Sequence, residues 1–151
     1  MRNEEKICCF AGHDESYGEN MKDKIKICAK KLIRDESVGI FMVGNYGGFD
    51  RIAASAIRSL KTKYQNIRLE LIVPYLTAEI VTEKDWYIRQ YDSVIIADIP
   101  ESAPKRYGII YANKYLVKKS YFMIAHIDHT YGGAYKTFLY AKRNGVDIID
   151  I

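Results

Sequence analysis

The chain has 151 residues, of which 48% are hydrophobic and 28% charged, and its formal net charge is +4. This length and composition suit one globular domain over residues 1–151 and exclude a disordered chain. The sequence contains no apolar run long enough to span a membrane, and its start, MRNEEK, does not lead into a signal peptide, so we expect a cytoplasmic protein without membrane contact.

Short apolar runs, typical of buried strands, alternate with segments whose apolar residues recur at helical spacing. The predicted strands are residues 7–11, 38–43, 67–73, 93–97, 121–125 and 146–151. The predicted helices are residues 19–34, 51–64, 107–118 and 134–142.

Proline and acidic residues surround the pattern at 93–97, which fits either a strand or an excursion from the sheet. Strands and helices that alternate at this spacing indicate right-handed crossovers between parallel strands. We therefore predict an α/β domain of three layers, with about five mainly parallel strands and helices on both faces of the sheet.

Three of the predicted strands end in loops that suit ligand binding, at residues 12–14, 44–51 and 128–133. In a parallel sheet, ligands bind beyond the carboxyl ends of the strands. The parallel topology therefore predicts that these three loops meet at one site.

The loop before the helix at 134–142 carries the paired glycines Gly132 and Gly133. Glycines let a ligand approach the backbone, and the free amides at a helix start attract an anion. Lys136 and Thr137 follow in the first turn, where an ammonium and a hydroxyl group would reach the same anion. An ordinary tight turn without a ligand is the alternative, because short glycine motifs often occur without one.

Six motifs follow one another along the chain: CCFAGH (8–13), VGNYGGFDR (43–51), VPYL (73–76), PKRY (104–107), ANKYLV (112–117) and HTYGGAYKTFLYAK (129–142). In their order and spacing the chain resembles the SLOG superfamily, which includes LOG-type phosphoribohydrolases and DprA-like domains, and it is most similar to small bacterial members. The resemblance covers nearly the whole chain. It implies a Rossmann-like fold and a nucleotide-type ligand, either a nucleoside monophosphate, an ADP-ribose-derived signal or a cyclic nucleotide.

Two positions depart from the pattern of the LOG-type hydrolases. Their helix before the glycine loop carries an arginine where this chain has Ala112, and a glutamate after the paired glycines corresponds to Leu139. The resemblance assigns to that arginine and glutamate the grip on phosphate and the stabilisation of an oxocarbenium-like centre. We therefore expect a pocket that binds its ligand without catalytic residues and without a cofactor.

The expected ligand-binding residues come from the three loops, from the helix starts that follow them and from the segment at 106–113. They are Gly12, His13, Asp14, Gly44, Asn45, Tyr46, Gly47, Gly48, Phe49, Asp50, Arg51, Arg106, Asn113, Asp128, His129, Thr130, Tyr131, Gly132, Gly133, Lys136 and Thr137.

Several of these residues have more than one interpretation. Asp50 is either a helix cap or an acceptor for a ribose hydroxyl. His13 and Asp14 are either an acid/base pair or part of a solvated loop. His126 and His129 suggest a metal, but the sequence shows no third ligand beside them, so we expect no metal site.

Three functions remain open from the sequence: a nucleotide-binding sensor or sequestering protein, a nucleotide N-glycosidase using Asp14, Asp50 or Asp128, and a DNA-associated protein. The small, scattered charge counts against the last and makes nucleic acid an unlikely partner. An odd number of three cysteines without a CxxC pair indicates buried thiols rather than disulfides. The 13 tyrosines, several of them in predicted helices, predict a homodimer or a higher homo-oligomer.

Overall fold

The computed structural model describes residues 5–151, so most of the start that was assessed for a signal peptide lies outside the described residues. Strands and helices alternate along this part of the chain. The elements are β1 (Lys6–Gly12), α1 (Glu19–Glu36), β2 (Val38–Val43), α2 (Gly48–Lys61), β3 (Arg68–Val73), α3 (Ala78–Thr82), α4 (Lys84–Gln90), β4 (Ser93–Ile96), a 3-10 turn (Lys105–Tyr107), α5 (Gly108–Lys119), β5 (Phe122–His126), α6 (Gly132–Arg143) and β6 (Asp147–Asp150).

The six strands form one sheet in the order β4-β3-β2-β1-β5-β6, and every neighbouring pair is parallel. The α/β prediction is confirmed, and the sheet has one strand more than the five or so expected. The additional strand is the segment around residue 94, which pairs with β3 in the register Leu71↔Val94 and forms an edge of the sheet.

The direction of the strand order reverses between β1 and β5. From β1 the chain builds outward through β2, β3 and β4, and it then returns to place β5 on the other side of β1. The last residues of these two central strands are paired in the register Gly12↔His126. Such a reversal opens a crevice at the carboxyl ends of the two strands, because the helices that follow them lie on opposite faces of the sheet.

Each face of the sheet carries its own apolar core. On one face, α1 and α2 bury stripes that include Ile25 and Ile57, together with the strand residues Phe41 and Leu71. On the other face, α5 and α6 cover Met123 and neighbouring strand residues. These buried stripes follow the helical spacing that predicted them, so the three-layer architecture rests on the hydrophobic pattern of each element.

One predicted helix has a different start, and one segment without a predicted element contains helices. Helix α2 begins at Gly48 rather than at Arg51, and residues 74–92 form two short helices whose apolar residues pack on the core of the α1 face. In the described part of the chain, no helix is both long and apolar enough to cross a membrane. The cysteines are unpaired, as predicted, and Cys8 and Cys9 are buried in β1.

Candidate functional site

A cavity of about 360 Å³ lies at the crevice between β1 and β5, where the three loops meet. The structure brings twelve of the expected residues to its walls: Gly12, His13, Asp14, Tyr46, Gly47, Asp50, Asn113, His129, Tyr131, Gly132, Gly133 and Thr137. Five further residues line it that the sequence analysis missed: Phe10, Ala11, Glu15, Ile109 and Ala134. The four apolar residues among them fit the pattern of core positions in a strand or a helix. Nothing in the sequence distinguished Glu15 from a solvated loop residue.

The start of α6 is open toward this cavity. Gly132 has φ +89°, a backbone conformation that residues other than glycine rarely adopt. Apart from the chain neighbours and the backbone of α6, no heavy atom lies within 4 Å of where a Cβ atom would stand at Gly132 or Gly133. The N-cap residue, Tyr131, makes no side-chain hydrogen bond to the helix. The first amides of α6 are therefore available to an anion.

The start of α2 is closed, although it also follows paired glycines. The N–H of Gly48 donates a hydrogen bond to Oδ1 of Asp14 at 3.1 Å. A Cβ atom at Gly48 would overlap the carbonyl group of Glu15. This glycine therefore allows the loop after β1 to pack against the helix, and its expected role as a ligand contact is not supported by the lining of the cavity.

The cations that were expected to hold a phosphate lie elsewhere. Arg51 is exposed on α2, and the guanidinium of Arg106 lies over the ring of Tyr107 at 4.9 Å from its centroid. Lys136 faces a neighbouring depression between α5 and α6. Within the described residues, no arginine or lysine lines the cavity. Nine expected residues are absent from its walls: Gly44, Asn45, Gly48, Phe49, Arg51, Arg106, Asp128, Thr130 and Lys136.

Three of these nine residues have structural positions instead. Phe49 is fully buried in the core beneath Gly12, and Asn45 donates from Nδ2 to the Tyr87 hydroxyl at 3.5 Å. Gly44 is buried, and a Cβ atom there would be 3.0 Å from Oδ2 of Asp50. In the cavity wall itself, the hydroxyl of Thr137 donates to the carbonyl of Gly133 at 2.9 Å, so it has no proton left for an anion.

Asp50 lies in the first turn of α2 and lines the cavity. The interpretation of Asp50 as the N-cap is wrong, because the helix begins earlier and its N-cap is Gly47. Its Oδ2 accepts a hydrogen bond from the N–H of Tyr46 at 3.3 Å. Burial raises the pKa of Asp50 to about 6, against the opposing effects of this hydrogen bond and of Arg51. A carboxyl group of this kind in a cleft is a candidate for a functional role.

His13, Asp128 and His129 form a cluster at one side of the cavity. Oδ1 of Asp128 lies 3.2 Å from Nε2 of His13 and 2.7 Å from Nδ1 of His129. The two imidazole rings stack, with centroids 3.5 Å apart. Of the two interpretations of His13 and Asp14, the structure shows no contact that pairs them: His13 contacts Asp128, and Asp14 accepts a hydrogen bond from Gly48.

The cluster differs in exposure from one member to the next. His13 is 5% exposed, and burial lowers its pKa, as does the nearby His129. The hydrogen bond from His129 lowers the pKa of Asp128. His126 takes no part, because its Nδ1 lies 2.7 Å from the carbonyl oxygen of Ile151.

The two positions that depart from the hydrolase pattern do not line the cavity. Ala112 is buried against the sheet on α5, while its neighbour Asn113 reaches the cavity. Leu139 lies in α6, beyond the residues of that helix that line the wall. The carboxylates present at the cavity are Asp14, Glu15 and Asp50.

Comparison with known proteins concerns the chain as a whole. The family model described as the YspA SLOG family matches residues 3–143. Among solved structures, the Moco carrier protein of Chlamydomonas rheinhardtii superposes with a TM-score of 0.58 at 11% sequence identity, covering 99% of this chain and 77% of the other. At that identity the likeness shows the fold alone. None of the curated proteins matches the sequence.

Proposed function

Because the chain belongs to the YspA SLOG family, we propose that it binds a nucleotide-derived small molecule in the cavity between β1 and β5. The observation that carries the proposal is the open start of α6, where the Gly132 and Gly133 amides face the cavity without a side-chain cap. The protein acts as a sensor or as a sequestering protein for an ADP-ribose-type or cyclic nucleotide signal, with little or no catalysis. The cavity volume is within the range usual for small-molecule sites, about 300–1,000 Å³.

The charges on the cavity walls indicate how much phosphate charge the ligand carries. Its walls carry the carboxylates of Asp14, Glu15 and Asp50, and no lysine or arginine among the described residues offsets them. Helix amides alone favour an anion only modestly, by up to about 2 kcal/mol in partly buried sites. This balance favours a ligand of low phosphate charge, such as a phosphodiester, over a triphosphate.

The remaining walls suit the other parts of a nucleotide. Asp50 lies in α2 and lines the same cavity as the start of α6. Its carboxylate accepts hydrogen bonds, so it would bind a sugar hydroxyl. Tyr46 and Tyr131 are 38% and 70% exposed, and both residues line the cavity. Exposed tyrosine rings at a cavity wall would stack on a base at a low cost in side-chain entropy.

One experiment tests binding and separates it from hydrolysis. The protein is incubated with a panel of AMP, ADP-ribose, cyclic mononucleotides and cyclic dinucleotides, separated from free ligand, denatured, and its extract analysed by chromatography and mass spectrometry. Recovery of an intact compound at a stoichiometric amount supports the proposal. Failure of every compound in the panel, together with no nucleotide in the freshly purified protein, would refute it.

A second function is favoured by the state of Asp50. A carboxyl group with a pKa of about 6 in a cleft is suited to general acid catalysis near neutral pH. This would make the protein a nucleotide N-glycosidase with a carboxylate displaced from the position usual in LOG-type hydrolases. A free base in the denatured extract, absent from an Asp50→Asn variant, would establish this alternative.

A further inference from the structure

We propose that His13, Asp128 and His129 bind a divalent transition-metal ion at the side of the cavity. Their side chains each offer one donor atom, and these three atoms all lie within 4.8 Å of one another. The sequence alone predicts no metal site, because His126 and His129 have no third ligand beside them along the chain. The fold instead brings His13 from the end of β1 to the loop after β5, across 115 positions of sequence.

The distances between donor atoms are close to those of a coordination shell. In a tetrahedral zinc site with bonds of about 2.0 Å to nitrogen and oxygen, neighbouring ligand atoms lie about 3.3 Å apart. Nε2 of His13 and Oδ1 of Asp128 are 3.2 Å apart. Nδ1 of His129 and the same carboxylate oxygen are 2.7 Å apart, so this edge opens by about half an ångström when an ion enters.

The hydrogen bonds of His13 leave an unfavourable contact that an ion would remove. The backbone N–H of Asp128 donates to Nε2 of His13 at 3.1 Å, so this nitrogen carries a lone pair and no proton. The carboxylate oxygen of Asp128 nevertheless lies 3.2 Å from the same nitrogen. Two acceptors at this distance repel each other, whereas a cation between them would attract both and would take the Nε2 lone pair in place of the Asp128 N–H.

The charged groups around the cluster also favour a bound cation. Asp14, Glu15 and Asp50 line the adjoining cavity, and no arginine or lysine of the described residues is there to balance them. A bound divalent ion would supply the missing positive charge. Metal binding does not depend on the proposed nucleotide ligand, because all three donors belong to the protein.

The donor set selects the class of metal. Two imidazoles and one carboxylate suit zinc and its neighbours in the first transition row, whereas calcium and magnesium prefer oxygen ligands. Three protein ligands leave at least one coordination position open. His13 and His129 both line the cavity, so that position is accessible from it.

Binding requires two local changes: Nε2 of His13 gives up its hydrogen bond from the Asp128 N–H, and one ring moves. Imidazole lone pairs lie in the plane of the ring, and the rings of His13 and His129 are stacked with an angle of 22° between their planes. His129 must therefore turn out of the stack to reach the ion. In turning, His129 also leaves the ring of Tyr131, whose centroid is 4.1 Å away, and because Asp128, Thr130 and Tyr131 are exposed the movement does not disturb the core.

The test uses untagged, chelator-treated full-length protein and zinc alone, followed by calorimetry. We expect one zinc ion per chain. Asp128→Asn and His129→Ala should each weaken the affinity by at least 10- to 100-fold, the loss usual for residues that merely orient a ligand. His126→Gln and Cys28→Ser are the controls, since they replace the remaining histidine and the least buried cysteine, and they should bind zinc as the wild type does.

Nitrogen NMR of the three histidine rings shows which of them bind the zinc ion. Zinc should shift the ring signals of His13 and His129 and leave those of His126 in place. The proposal is overturned if the wild type shows no saturable zinc binding, if Asp128→Asn and His129→Ala both bind zinc unchanged, or if the signals that move belong to His126. Circular dichroism confirms that each variant is folded before it is titrated.

Discussion

Oδ1 of Asp14 accepts a hydrogen bond from the Gly48 N–H at 3.1 Å and thereby closes the start of α2. The carboxylate occupies the position that an anionic ligand would take at this helix end. At α6, by contrast, Tyr131 contributes no side-chain cap, and no other part of the chain packs against the Cα atom of Gly133 where a side chain would stand. Two similar glycine motifs thus have different roles, since one anchors a loop and the other is open to a ligand.

Gly133→Asp should weaken binding of any nucleotide that the wild type binds by at least about tenfold, because its carboxylate would compete with the phosphate as an N-terminal acidic group does. The position has space for a side chain and lacks the positive φ of Gly132, so the fold should survive. Gly133→Ala is the matched control for the loss of glycine. Calorimetry that shows equal affinity in Gly133→Asp and Gly133→Ala would contradict the assignment of the site to α6.

Asp50 should make the free energy of unfolding depend on pH. Burial raises its pKa from 3.8 to about 6, so the native state takes up this proton first as the pH falls. Stability should therefore be gained between pH 7 and pH 4 and lost again as the pH rises, by about 2–3 kcal/mol at 1.36 kcal/mol per pKa unit.

Urea denaturation of the wild type and of Asp50→Asn at pH 4 and pH 7 measures this contribution. The asparagine cannot ionise, so the variant should be more stable relative to the wild type at pH 7 than at pH 4. A difference between the two proteins that stays constant with pH would show that Asp50 keeps an ordinary carboxylate in the fold.

Gly12→Ala should destabilise the protein by about 1–3 kcal/mol, the usual cost of overpacking a core. A Cβ atom at Gly12 would overlap the base of the Phe49 side chain, which is fully buried and has no free end to move aside. Gly133→Ala meets no neighbouring atom and should not lower the free energy of unfolding, which makes it the comparison in thermal or urea unfolding. Equal stability of the two variants would mean that Phe49 yields more easily than its packing indicates.

Turnover of AMP should be negligible. The positions that would carry the arginine and the glutamate of the LOG-type hydrolases hold Ala112 and Leu139, and neither lines the cavity. A positioned acid or base typically contributes about a hundredfold or more to such a cleavage. Incubation with AMP and chromatography for adenine tests this expectation. Efficient release of adenine that is lost in Asp50→Asn or Asp128→Asn would instead reveal a relocated carboxylate.

Self-association should involve the exposed apolar residues at the end of the 3-10 turn and the start of α5. Tyr107, Ile109 and Ile110 are 41%, 44% and 48% exposed, beside the tyrosines that first suggested an interface. Ile110→Glu should shift the protein toward the monomer in light scattering at micromolar concentration. Ile27→Glu, a change at an exposed position of α1, should leave the oligomer intact. A monomeric wild type would refute the prediction.

The hydrophobic pattern was sufficient to predict the elements. The apolar run at residues 38–43 and the apolar stripe of α2 coincide with residues that are mostly buried. The two agree because each apolar side chain must face a neighbouring layer. The edge strand near Val94 was ambiguous for the same reason: an edge strand is covered less completely, and its pattern is weaker.

The loops that form the cavity were also predictable, because parallel topology gathers the carboxyl ends of the strands. The directions in which the side chains of these loops point were not predictable. Whether Gly48 faces a ligand or the carbonyl group of Glu15 depends on how the loop after β1 packs on α2. Arg51 lies on the exposed face of α2, away from the cavity, and the helix begins three residues earlier than predicted.

By itself, the sequence determined the α/β class, the family resemblance and the strand ends at which a site would form. Only the tertiary structure decided which of those residues meet. His13 and Asp128 are 115 positions apart and come into contact because β1 and β5 are neighbours in register, with Gly12 opposite His126. Local periodicity carries no information about such pairings, since they depend on strand order and on the packing of whole helices against the sheet.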